Sequence, residues 1–221
     1  LHRLIRRQRQ MCIRDRYTNL ADMAVEGMNA GTAQVYAPAF TNYVEGIYVG
    51  YKYYETAAQE GAIDYDKTVQ YPFGYGLTYG TISYSGAKTE QETSAVLDDV
   101  TMCTKVKNES AYPLHESVEV YVKYKNAQPG EPGFQLKGIA CVELQAGEEK
   151  EVSVTLHARD FAVITEDGGC VVRPGEYEIS IGGQQPGERS RALTGRETEI
   201  LTVRKEGNEA VSYTHLTLPT N

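Results

Sequence analysis

Apolar and polar side chains alternate with a period of two over several short runs, and this feature constrains the chain more than any other. Val118, Val120, Val122 and Tyr124 alternate with Glu119, Tyr121 and Lys123. Val152, Val154 and Leu156 alternate with Glu151, Ser153 and Thr155, and Tyr177, Ile179 and Ile181 alternate with Glu178 and Ser180. Upstream, Val96, Val100, Met102, Thr104 and Val106 lie on or near one parity. Successive side chains of a strand point to opposite faces, so each run buries one face and wets the other, as antiparallel sheets do.

Turn-forming stretches separate these runs: Asn108–Pro113, Pro129–Gly133, Ala146–Glu149, Glu166–Gly169 and Pro174–Gly175. With Ile139–Leu144 and Ile200–Val203 added, the pattern gives about seven strands on short connections. The fold class read from it is mainly β: a fibronectin-III or immunoglobulin-like β-sandwich over residues 81–208. Val118, Val120, Val122, Val152, Val154, Ile179 and Ile181 are its expected core. No βαβ rhythm is present, which excludes a nucleotide-binding parallel sheet. The polar stretch Gly182–Gly195 breaks the alternation and reads as an exposed loop.

The first third has another texture. Of the 17 Tyr, 12 fall between Tyr17 and Tyr84. Tyr17–Glu26 supports a short helix, Gly27–Thr41 reads as loop, and Tyr48–Ala58 reads as one amphipathic helix ended by Gly61. Tyr71–Gly80 (YPFGYGLTYG) neither coils nor alternates, so it reads as an ordered loop packed by its own rings.

Charge divides the chain as well. The 22 Lys+Arg against 30 Asp+Glu give −8 overall, a balance that argues against a nucleic-acid partner. Residues 1–16 hold six Arg and one Asp, whereas residues 17–208 are acidic. A basic arm or a targeting peptide needs a body that makes sense of it, and this body is acidic. RQRQMCIRD and the closing Val211–Asn221 (VSYTHLTLPTN) resemble peptides that arise when sequencing-adapter DNA is translated. Residues 1–16 and 209–221 are therefore read as non-native and set aside from the fold. No apolar run approaches the roughly 20 residues of a membrane span, so no membrane partner is expected.

Few residues carry a signal for chemistry. Cys12, Cys103, Cys141 and Cys170 form no C-x-x-C pair, and small buried thiols in strands are favoured over a disulfide. His2, His115, His157 and His215 are scattered, so neither a metal site nor a cofactor is expected. Asp64/Asp66, Asp98-Asp99 and Glu148-Glu149 read as solvated acids beside turns. Gly74-Tyr75-Gly76 and Gly182-Gly183 lack the context of a phosphate loop. Asn108-Glu109-Ser110 is a formal sequon, with a structural turn Asn the preferred reading. Glu45 is the one acid in an aromatic setting, between Tyr43 and Tyr48. Glycoside cleavage needs two carboxylates about 5 to 10 Å apart, no second member accompanies Glu45, and a structural role is favoured. No catalytic, substrate-binding or metal residue is assigned.

Two stretches carry a resemblance. Asn42–Thr56 (NYVEGIYVGYKYYET) followed by Tyr71–Tyr79 (YPFGYGLTY) resembles the closing segments of the α/β sandwich domain of glycoside hydrolase family 3. Glu119-Val120-Tyr121-Val122, Gln135-Leu136-Lys137-Gly138, Leu144-Gln145-Ala146-Gly147-Glu148 and Pro174–Gly182 (PGEYEISIG) resemble the fibronectin type III-like domain that follows in that family. The resemblance implies a remnant of the α/β domain over 17–80 ahead of the sandwich, and a parent that cleaves terminal β-linked glucosyl or xylosyl residues with retention. It also implies partners, namely the parent's catalytic barrel, the rest of its α/β sandwich domain and a β-linked saccharide. The family's barrel carries the nucleophile, and a barrel takes about 250 residues, which this chain cannot hold. The chain alone is therefore expected to be inactive, a packing module. A free-standing carbohydrate-binding or adhesion sandwich is the alternative. The compartment stays open, with a slight preference for the cytoplasm.

Overall fold

The period-two runs are strands. In a computed structural model of the chain, residues 47–76, 78–165 and 169–211 are described. The expected helix Tyr17–Glu26, Glu45 and residues 1–16 lie outside them. The chain divides between Tyr71 and Pro72 into two compact units.

In the first unit, α1 (Tyr51–Gln59) falls within one turn of the expected helix. It ends because Gly61 takes a left-handed backbone (φ +72°). That lets the Gly61 amide donate to the Ala58 carbonyl and the Ala62 amide to the Ala57 carbonyl, the Schellman closure. Asp64 then caps the short α2 (Tyr65–Thr68), accepting from the Lys67 amide at 3.3 Å.

The second unit is built from β1 (Ile82–Thr89), β2 (Thr93–Ala95), β3 (Val100–Asn108), β4 (Leu114–Tyr124), β5 (Gln135–Leu144), β6 (Glu149–Leu156), β7 (Val163–Ile164), β8 (Cys170–Val172), β9 (Gly175–Gly182), α3 (Glu188–Thr194), β10 (Glu199–Glu206) and β11 (Ala210–Val211). One sheet runs β1-β3-β6 and a second runs β2-β10-β9-β4-β5, with a small sheet β11-β8-β7 beside them. Every pairing is antiparallel except β10 with β2, which is parallel at the sheet edge. Ala210 and Val211, set aside with the C-terminal end in the sequence reading, pair with Val172 and Val171.

The inward side chains form one core. Val100, Met102 and Val106 of β3 and Val152, Val154 and Leu156 of β6 meet Val118, Val120 and Val122 of β4, Ile179 and Ile181 of β9, and Val203 of β10. All seven residues expected in the core are buried there. Gly138 sits opposite Val120, where a Cβ would stand 2.8 Å from Val154 Cγ1, so only glycine lets β5 approach β6 this closely. Tyr177 lies edge-on to Phe161 with ring centroids 5.2 Å apart, and its hydroxyl donates to the Arg173 carbonyl at 2.7 Å. A tyrosine that bonds back to the backbone a few residues upstream is a corner device of immunoglobulin-type sandwiches.

Two polar side chains lock the ends of the sandwich. Asn108, fully buried, donates from Nδ2 to the carbonyls of Tyr112, Leu144 and Gln145, and its Oδ1 accepts from the Ser110 amide. Its amide is thus consumed by the turn, as the structural reading of the sequon expects. Lys205, also buried, donates to the Asp98 carbonyl at 2.5 Å and the Ala95 carbonyl at 3.4 Å, with its ammonium 4.5 Å from the Phe161 ring centre. Burial holds that ammonium below the usual lysine range, against the pull of Asp98 and Asp99.

Three features differ from the sequence reading. Gly182–Gly195 is not an exposed loop, since it contains α3 and buries Gln184, Gln185 and Ser190. Cys103 is buried as expected, but Cys170 is only half-buried and Cys141 is exposed on β5, and all three thiols are free. β1 is a strand of its own, ahead of the run that begins at Val96.

Replacing Val120 with Asp puts an unpaired charge between the sheets and is expected to remove about 4 kcal/mol or more, enough to unfold the second unit in urea titrations. Asn108→Ala leaves three carbonyls without their donor, with an expected loss of roughly 2–3 kcal/mol and retained β-sheet circular dichroism.

Candidate functional site

Several polar groups of the second unit gather around β4, whose two faces carry different acids. Glu116 shares the inward parity of Val118, whereas Glu119 shares the outward parity of Tyr121. Glu116 reaches across the sandwich, where the Tyr84 hydroxyl of β1 donates to its Oε1 at 2.8 Å and Arg196 donates to the same oxygen at 3.2 Å. Gly183 packs on this pair with no room for a Cβ. Burial pushes the Glu116 carboxyl above the usual carboxylate range, while the Tyr84 and Arg196 bonds pull it back. Burial and the Glu116 charge push the Tyr84 phenol upward too. A second acid makes a parallel bridge: Glu199 of β10 accepts from Thr104 Oγ1 of β3 at 2.7 Å and from the Ala87 amide of β1 at 3.1 Å.

Glu119 is on the face that a sandwich normally turns to water, yet it is 8 % exposed, and Tyr121 and Ser180 beside it are fully buried. The glycine-aromatic segment covers this face. The Phe73 amide donates to Gln185 Oε1 at 2.9 Å, and Pro72 is buried. Gly74, with φ +74°, comes so near that a Cβ would stand 2.9 Å from both carboxylate oxygens of Glu119. The Tyr121 hydroxyl donates to Glu119 Oε2 at 2.6 Å. Farther along, the Thr81 amide donates to Ser110 Oγ at 2.8 Å, and the Tyr112 hydroxyl donates to the Tyr79 carbonyl. The segment is thus an ordered loop that the sandwich holds by hydrogen bonds, and Tyr79 at its end is 99 % exposed.

The remaining acids singled out in the sequence stand at turns. Asp98 accepts from the Ala95 amide at 3.0 Å, and Asp99 accepts from the Ala158 amide at 3.1 Å and lies 2.9 Å from His157 Nδ1. Glu148 accepts from the Gln145 amide at 2.7 Å, and Glu149 pairs with Lys105. Asp64 caps α2, and Asp66 lies in its first turn. His115 is exposed on β4. Among the described residues no group of three or more His, Cys, Asp or Glu is placed to hold a metal ion, and no helix is long and apolar enough to cross a membrane.

Chemically, this arrangement holds backbone and joins sheets. Glu116 is engaged by a phenol and a guanidinium, and Glu119 is capped by a phenol and a backbone loop, so neither stands open to a substrate. Sequence reasoning placed Glu119 and Tyr121 on a wetted face; the only signal that could have found the cluster is the glycine run of the loop. Arg196→Met leaves a buried carboxylate without its cation and is expected to cost about 3 kcal/mol. Adding Glu116→Gln should recover much of that loss, a coupling that a double-mutant cycle in urea reads directly.

Residues 116–185 match the family of the fibronectin type III-like domain. The chain is 39 % identical over 145 residues to an exo-α-(1→6)-L-arabinopyranosidase of Bifidobacterium longum, covering 64 % of this chain and 17 % of that protein. It is 35 % identical over 158 residues to β-glucosidase B of Emericella nidulans, covering 70 % of this chain and 17 % of the relative. Among solved structures, the glycoside hydrolase family 3 β-glucosidase of Bifidobacterium adolescentis matches with a TM-score of 0.60 and 32 % identity, over 75 % of this chain and 22 % of that one. The chain spans about a fifth of the length of these relatives. It is thus the counterpart of one segment of glycoside hydrolase family 3 enzymes of the β-glucosidase type, and that segment includes a fibronectin type III-like domain.

Proposed function

We propose that the chain is the C-terminal part of a glycosidase that removes terminal β-linked glucosyl or xylosyl residues with retention, and that its own role is structural. The single observation that carries this reading is the lopsided coverage: most of this chain aligns with enzymes of which it represents only 17–22 %. The sandwich, residues 81–208, then serves as a packing module, and residues 17–80 are the end of the preceding α/β domain, of which 72–80 fall within the compact unit of the sandwich. Its partners are the parent's barrel and the rest of the α/β domain, and a β-linked saccharide is the parent's substrate. Retaining hydrolysis needs a nucleophile and an acid/base facing each other across the sugar. Among the described residues the buried Glu119 and the half-buried Glu116 of β4 are occupied by Tyr121, Tyr84 and Arg196, which supports a non-catalytic role. The segment is about equally similar to relatives named for L-arabinopyranose and for glucose, as expected of a part that does not choose the sugar.

The alternative is a free-standing carbohydrate-binding or adhesion module. Such a face needs several coplanar exposed rings, whereas Tyr121, Phe161 and Tyr177 are interior and the exposed Phe73, Tyr79 and Tyr112 lie in turns and loops off the strands. The domain-packing reading is therefore preferred.

A chimera tests the proposal. This chain is exchanged for the matching segment of the Bifidobacterium adolescentis β-glucosidase, beside a truncation that lacks the segment. The chimera should hydrolyse aryl β-glucosides, the truncation should fall to background, and this chain alone should show no turnover. Hydrolysis by this chain alone, abolished by Glu45→Gln, would overturn the reading and make Glu45 a catalyst.

A further inference from the structure

A carboxylate beneath a backbone loop couples the two through water. Glu119 is buried on the outer face of β4 by Gly74, which leaves no space for even a methyl group between loop and carboxylate. The loop's other anchor, the Phe73 amide on Gln185 Oε1, carries no charge. The Tyr121 hydroxyl donates to Glu119, Glu116 repels it, Arg196 attracts it, and the Tyr84 phenol lies within its field. Its register partners are Ile139 on β5 and Gly182 on β9, neither of them charged. Among the described residues no ion pair reaches it. Loss of water outweighs the stabilising contacts, so burial raises the Glu119 carboxyl above the usual carboxylate range.

We propose that residues 72–76 form a proton-coupled strap, seated on the sandwich while Glu119 is protonated and loosened as Glu119 ionises. The sign follows from linkage. An acid whose proton affinity is raised by docking favours the docked state below its ordinary titration range. That advantage disappears as pH rises through the raised value, because the ionised carboxylate regains water only when the loop lifts. Gln185 holds the strap at every pH, and Glu119 makes the grip depend on protons.

Hydrogen exchange on the full chain tests this, with amide rates corrected for intrinsic pH dependence and with the Ile179 amide of β9 as internal standard. Between about pH 5 and about pH 8, protection of residues 73–76 should fall severalfold, while Ile179 holds steady. Glu119→Gln, which keeps the shape and cannot ionise, should hold its protection constant. Gln185→Ala should lower protection throughout and keep the fall. A flat wild-type profile sinks the proposal whatever the variants do, and so does a Glu119→Gln profile that falls in step with wild type.

Discussion

Burial of alternate valines, isoleucines and leucines between two sheets is the interaction on which the second unit depends. Val118, Val120 and Val122 can meet Val152, Val154 and Leu156 only if every strand keeps its register, because a slip of one residue would turn each apolar side chain to water. Register is therefore fixed by the core, and the polar contacts follow from it. The bulge between Val120 and Tyr121 and the missing side chain at Gly138 let β4 and β5 twist without opening a gap.

A two-sheet core leaves its ends exposed, and this chain closes them with polar bridges whose partners are supplied in full. Asn108 joins the β3–β4 turn to the β5–β6 turn, Glu116 and Glu199 link the sheets from opposite strands, and Lys205 ties the connection after β2 to the core's last strand. Each bridge costs desolvation and returns direction, since hydrogen bonds tolerate far less displacement than hydrophobic contact does. The aromatic pair Tyr177 and Phe161 adds the same directionality inside the core.

The sandwich was legible because its determinants are local: parity, turn residues and strand length stand next to one another in the chain. The family resemblance was legible for the same reason, through short strings such as Pro174–Gly182. The cover over Glu119 was not, because Gly74 and Gln185 reach β4 from positions far away in sequence, and alternation alone assigns Glu119 and Tyr121 to solvent. The burial of Gln184, Gln185 and Ser190 is hidden on the same grounds, since a polar, glycine-rich stretch reads as exposed until its partners are known. Cys141 shows the converse error, for composition favours buried thiols while its place on the outward face of β5 exposes it. Glu45 lies beyond the described residues, and its part stays with the functional proposal.

Where the strap begins has a consequence for modular exchange of such sandwiches. The two units part between Tyr71 and Pro72, ten residues before β1 starts at Ile82. A recombination point set at the first strand would carry over a complete set of β-ladders. It would also strip the cover from Glu119, Tyr121 and Gln185, turning a finished surface into an open polar trough. The inheritable unit is therefore larger than the sheet: it includes a stretch of irregular backbone whose sequence is dictated by the strand it covers.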